Sequence, residues 1–127
     1  METISMSIVK VDAIQNTSGV EQYLAKAWAN FNGTGTVTIR ASGNVSSLTD
    51  YGTGAYGINF QTNMSDTNYS TQTTSSSLAE ATGAYFCHEG HSSLSYTSVR
   101  LTTYDRIYTT TGATLGDTYS GNVAYFR

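Results

Sequence analysis

Apolar and polar residues alternate along most of this chain, and the alternation has the period of two that marks strands. At the start Ile4, Met6 and Ile8 lie opposite Thr3, Ser5 and Ser7. A turn signal follows at Asn16-Thr17-Ser18-Gly19. The segment from Val20 to Phe31 fits two periods. Val20, Leu24, Ala27, Trp28 and Phe31 form a helical face, while Leu24, Lys26 and Trp28 alternate. We expect a strand over residues 25–31 with a short helical lead-in before it. Beyond Asn32 the strand signal is clear. Val37 and Ile39 alternate with threonines, residues 44–50 form a short run, and Tyr56, Ile58 and Phe60 alternate after a Gly52-Thr53-Gly54 turn. Residues 63–68 read as a turn and 69–74 as a polar strand. Further strands are expected around 84–87, over 96–103 and at 122–126, with a loop at 112–120. Turn signals about every 8–12 residues are the rhythm of a sandwich or barrel. The expected fold is all-β, an antiparallel β-sandwich of jelly-roll type over residues 25–127, preceded by an extended N-terminal arm over 1–24.

Composition sharpens this picture. Hydrophobic residues make up 39% of the 127, and charged residues only 12%. Disordered chains share the low hydrophobicity but lack aromatics; here there are 10 Tyr, 4 Phe and 1 Trp. Proline is absent, so the 12 glycines, with Asn, Asp and Ser, must make the turns. A net charge of −3 with no basic stripe argues against nucleic-acid binding. No apolar run reaches the roughly 18 residues of a membrane-spanning helix. METISMSIVK has neither a basic n-region nor a continuous apolar core, so synthesis in a cytoplasm without a signal peptide is expected. The single cysteine, Cys87, excludes an intrachain disulfide.

Chemistry-bearing clusters are few. Cys87-His88-Glu89-Gly90-His91 is the one run with metal-ligand character, and His88 and His91 are weak candidates because one chain supplies so few ligands. The bland reading, exposed histidines at a strand end, is favoured, and neither a metal nor a cofactor is expected. A nucleophile needs a base and an orienting acid. No Gly-x-Ser-x-Gly elbow is present, and no catalytic residue is assigned. The tyrosines carry more information. Tyr51, Tyr69, Tyr85, Tyr96, Tyr104, Tyr108 and Tyr119 lie in or near polar stretches. A tyrosine ring offers a broad contact area and a hydroxyl handle. Most are expected to be structural. Tyr69, Tyr85, Tyr104, Tyr108 and Tyr119, with Asn68, are the candidate receptor contacts, and 61–76 and 103–120 the loops expected to form the binding surface. Trp28, Phe31, Phe60 and Phe126 are expected in the core or at a subunit interface. Arg40 and Asp50 are paired as a candidate salt bridge.

The run AKAWANFNGTGTVTIRASGNVSSLTDYGTGAYGINF, from Ala25 to Phe60, resembles the C-terminal domain at the tips of phage tail-fibre and tail-spike proteins. Lys26, Ala27, Trp28, Asn30, Phe31, Gly33, Thr34 and Gly35 carry the opening of that pattern. Arg40, Asn44 to Ser47, Thr49, Asp50, Gly52 to Gly54, Tyr56, Asn59 and Phe60 carry the rest. The stretch Ile8 to Gly19 is similar to arms that precede such domains, and Val123 to Arg127 to their last strand. Residues 61–120 match loosely. The resemblance implies a virion location, a β-sandwich, a homotrimer and no catalytic residues. With about 25 residues ahead of the domain, the chain would dock through its arm onto another tail or capsid protein. Its loops would then meet a host-surface glycan or other receptor, without nucleic-acid binding or membrane insertion. A capsid decoration, cement or tail-adaptor protein is the structural alternative, and a small hydrolase the third.

Overall fold

A computed structural model describes residues 13–76, 85–89, 101–111 and 114–127, with only the backbone described at 85–89, 110–111 and 114. Among them every regular element is a strand. None is a helix, and so none is a helix long and apolar enough to cross a membrane. The strands are β1 (Ile14–Gln15), β2 (Glu21–Gln22), β3 (Ala25–Asn32), β4 (Thr38–Gly43), β5 (Val45–Gly52) and β6 (Ala55–Phe60). They continue as β7 (Ser70–Ser76), β8 (Tyr85–Glu89), β9 (Tyr104–Thr111), β10 (Thr114–Leu115) and β11 (Ser120–Phe126). All pairings are antiparallel.

Two sheets carry the fold. One has the order β4-β3-β11-β7; the other runs β10-β9-β6-β5, with β8 also paired to β9. Four connections are hairpins inside one of these sheets: β3–β4, β5–β6, β8–β9 and β9–β10. Elsewhere the chain passes between sheets. The corner between β4 and β5 is Asn44, whose φ of 54° is unusual for a residue with a side chain. Its amide holds the corner in place. Nδ2 donates to the carbonyls of Lys26 and Thr62 at 3.0 Å each, and Oδ1 accepts from Thr62 N at 2.7 Å.

Alternation decides which side chains face inward. Ala27, Ala29 and Phe31 from β3, Tyr56, Ile58 and Phe60 from β6, Ile107 from β9 and Val123 and Tyr125 from β11 share one buried cluster. Met64, Tyr69 and Val45 complete it, with Val37, Ile39 and Leu48 at its margin. The large members are aromatic, and they meet edge to face. Phe60, Tyr69 and Tyr125 form a triangle with centroids 5.0–5.8 Å apart, and Phe31 meets Tyr56 at 5.1 Å. Each such pair adds roughly 0.5–1.5 kcal/mol beyond the area it buries.

Buried tyrosines need a partner for the hydroxyl. Tyr69 donates to Leu101 O at 3.1 Å. Tyr56 donates to Gly33 O at 3.0 Å and to the Asp117 carboxylate at 3.2 Å. Asp117 also accepts from Gly54 N at 2.8 Å, tying the β5–β6 turn to the segment before β11. Burial first, and then the Asp117 charge, push the Tyr56 hydroxyl up to about 12 from 10.0.

The two-period ambiguity ahead of β3 resolves against the helix. Residues 21–22 pair with 14–15 across the Asn16 turn, forming a small hairpin. Asn16 Oδ1 accepts from Ser18 N and Val20 N at 3.0 Å each, so the side chain closes the turn itself. The polar strand expected over 69–74 is β7, and the loop expected over 103–120 shrinks because 104–111 is β9. The strand expected over residues 1–8 and most of that expected over 96–103 lie outside the described residues.

Arg40 and Asp50 do not pair as expected. Arg40 donates to Phe31 O and Tyr119 O and lies 4.6 Å over the Tyr119 ring, whereas Asp50 accepts from Gly52 N at 2.8 Å in its own turn. The two strands that carry them belong to different sheets.

Gly121 pairs directly with Phe31, and a Cβ there would sit 2.5 Å from Phe31 Cε1. Gly121→Ala should therefore cost about 1–3 kcal/mol in urea denaturation, as overpacked cores do; an unchanged midpoint would mean that Phe31 does not lie over this glycine. Tyr56 gives a pH test. Its raised pKa favours the protonated fold, so its contribution is complete below pH 10 and lost as the pH rises through 12. Between those limits the wild type should lose about 2 kcal/mol more than Tyr56→Phe. Parallel losses would show that Tyr56 is not buried as a neutral phenol.

Candidate functional site

The outer face of the β4-β3-β11-β7 sheet follows from register. Trp28 pairs with Gly43 on one side and Ala124 on the other, and Ala124 pairs with Gln72. These four residues make one row across the sheet. The next row is Ala41, Asn30, Asn122 and Thr74. Trp28 lies over Gly43, where a Cβ would sit 2.9 Å from indole Cδ1. The side chain remains 43% exposed, although its neighbours Ala27 and Ala29 are buried.

Because Ala124 is small, the sheet dips beside the indole. The result is a shallow trough of about 370 Å3, with Trp28 on one side, Gln72 and Thr74 on the other, and Asn30 and Asn122 at one end. Its size falls in the roughly 300–1,000 Å3 range of ligand clefts. Asn30 Nδ2 donates to Asn122 Oδ1 at 2.7 Å and to Ser120 Oγ at 3.1 Å. That fixes both amides and leaves Asn122 Nδ2 and Asn30 Oδ1 with hydrogen-bonding capacity for a ligand. None of the trough's side chains titrates near neutral pH. The trough can stack and hydrogen-bond a ligand, and supplies no acid, base or nucleophile.

The expected contact residues scatter. Tyr69 and Tyr108 are corrections: they are 1% and 2% exposed, and so unavailable to a receptor. The polar neighbours of Tyr69, Asn68 and Ser70, face outward while its ring turns in, as alternation requires, whereas Tyr108 is buried together with its neighbours Ile107 and Thr109. Tyr104 is half-buried, and Tyr119 is exposed beneath Arg40. Asn68 is exposed beside a second cleft of about 640 Å3, between the β1–β2 hairpin and the end of β11. Phe126, half-buried, lines that cleft too. Phe31 and Phe60 are core residues, whereas Trp28 is on the outer face and not in the core. The side chains of Tyr85, His88 and Cys87 lie outside the described residues, as do Tyr96 and His91. No group of three His, Cys, Asp or Glu side chains that could hold a metal occurs among the described residues.

Two further features border on function. On the outer face of the second sheet, Arg106 lies 3.9 Å over the Tyr51 ring. Hydrogen bonds to the Tyr51 and Tyr108 hydroxyls hold its guanidinium above the usual range. At the end of β11, Arg127 pairs with Asp66 at 2.5 Å. That hydrogen bond and one from Asn68 N hold the Asp66 carboxyl below its ordinary value. Both arrangements occupy their charges internally.

Gln72, Thr74, Asn122 and Ala124 are the trough residues that the sequence reading missed. The available signal was period two: Trp28 and Asn30 must share a face, as must Gln72 and Thr74, and Asn122 and Ala124. No family model, curated protein or solved structure matches this chain.

Trp28 is the sole tryptophan, so fluorescence reads this site alone. Gly43→Ala should lift the indole from its seat and shift its emission to the red while far-UV circular dichroism is unchanged. An unaltered emission spectrum would show that the ring does not rest on Gly43.

Proposed function

We propose that this chain is a non-enzymatic attachment module of a bacteriophage virion, of tail-fibre or tail-spike type, that works as a homotrimer. In this reading it takes its place on the virion. It holds a host-surface glycan on the outer face of the β4-β3-β11-β7 sheet. The exposed Trp28 beside fixed amides carries the proposal. Pyranose rings present C–H faces that stack on aromatic rings, and their hydroxyls both donate and accept, as Asn and Gln amides do. The resemblance of residues 25–60 to phage fibre-tip domains supports the virion setting. We read the two sheets as a β-sandwich, since their facing side chains share one core. The four in-sheet hairpins favour a simpler winding than a jelly roll, whose successive strands mostly change sheets.

One observation favours a second reading, that of a decoration, cement or adaptor protein. Around the β1–β2 hairpin Val20, Tyr23 and Leu24 are 56%, 77% and 57% exposed. Apolar side chains grouped so openly suit docking onto another tail or capsid protein.

A binding assay with polysaccharide from the natural host's envelope separates the two. Trp28→Ala should weaken attachment at least tenfold, as removal of a central aromatic anchor does, and Tyr23→Ser should not. Loss with Tyr23→Ser alone would favour the adaptor. Light scattering should give three times the 13.6 kDa chain mass; a monomer would remove the trimer.

A further inference from the structure

We infer that the glycan held on the Trp28 face is a neutral polysaccharide, without uronic, sialic or sulfate groups. This rests on the attachment reading above and narrows its ligand. The four strands of the sheet contain two charged residues, Lys26 and Arg40. Arg40 is committed to the carbonyls of Phe31 and Tyr119 and to the Tyr119 ring. Lys26, exposed two residues before Trp28 on the same face of β3, does not line the trough and lines the two clefts at that end of the strand instead.

What remains toward solvent is hydroxyl and amide. Along β7 the outward residues are Ser70, Gln72, Thr74 and Ser76, all exposed. On β11 Ser120 and Asn122 continue the same surface. Among the described residues the trough lining holds no cation, so a carboxylate or sulfate desolvated in it would meet none there, and burying part of an unpaired charge is costly. A neutral pyranose loses nothing comparable. Its hydroxyls exchange water for the Asn122, Gln72 and Thr74 side chains, and its apolar face covers the indole. The polar stripe continues from the trough to Ser76, offering further hydroxyls to neighbouring sugars of a polymer. Affinity set this way is insensitive to ionic strength, because no charge pair is screened.

The test is a Trp28 fluorescence titration of the full chain with four probes: a neutral β-glucan, a neutral α-mannan, polygalacturonate and heparin, each at low and high salt. At least one neutral polymer should perturb the indole, with an apparent Kd that changes less than about twofold with salt. The acidic polymers should bind at least about tenfold more weakly. Gln72→Lys, at an exposed position of an edge strand, should gain binding to polygalacturonate that salt abolishes. Preferential, salt-sensitive binding of an acidic polymer by the wild type overturns the neutral assignment and leaves the glycan reading standing. If no polysaccharide perturbs Trp28, including the host-envelope material used above, the glycan reading falls and takes this inference with it.

Discussion

Aromatic rings laid on glycines across the strands are the constraint on which both sides of this structure depend. Phe31 lies over Gly121 on the inner face and Trp28 over Gly43 on the outer one. Both rings belong to β3, which is central in its sheet and pairs with both glycine-bearing strands. A strand glycine normally weakens a sheet, since it has no side chain to pack. Here a neighbouring ring fills that space, and the glycine lets the ring lie close to the backbone. The inner contact seats the core aromatics. The outer one holds the indole at a fixed place on an otherwise polar surface. Tyr51 over Gly57 repeats the device on the second sheet, and Tyr56 of that sheet lies over Gly33 in the connection between β3 and β4.

The inner side explains how a chain with few large aliphatics has a core at all. Phe60, Tyr69 and Tyr125 meet edge to face, and tyrosine hydroxyls reach carbonyls or Asp117 at the margins. The outer side explains why so few charges are present. Threonine, serine and asparagine suit strand surfaces, keep them hydrated and leave no strong field. A surface of that kind discriminates by shape and hydrogen bonding, with little long-range steering.

Much of the fold was legible because alternation is local. Tyr56, Ile58 and Phe60 face the core as their spacing requires, and so do Val123 and Tyr125. The hairpin before β3 was not legible, since Leu24 and Trp28 satisfy periods of 3.6 and 2 alike, and the pairing of 14–15 with 21–22 decided between them. Tyr69 was misplaced because its polar neighbours suggested exposure, though on a strand they point the other way; Tyr108 was misplaced because Ile107 and Thr109 are buried along with it. The trough was hidden for a different reason. Trp28, Gln72 and Asn122 come from three strands distant in sequence, and only the register of β11 with both β3 and β7 sets them side by side. Nothing in the spacing of residues along the chain encodes that register.

The central claim is that the Trp28 face is where this protein meets its ligand. The most direct measurement is the NMR spectrum of the labelled chain, following the Trp28 indole N–H and the side-chain amides of Asn30, Gln72 and Asn122 as a neutral polysaccharide is added. The account predicts shifts concentrated on these four groups, with the Asn16 and Asn68 amides near the β1–β2 hairpin unmoved. Shifts confined to that hairpin, or to the Tyr51–Arg106 face of the other sheet, would contradict it.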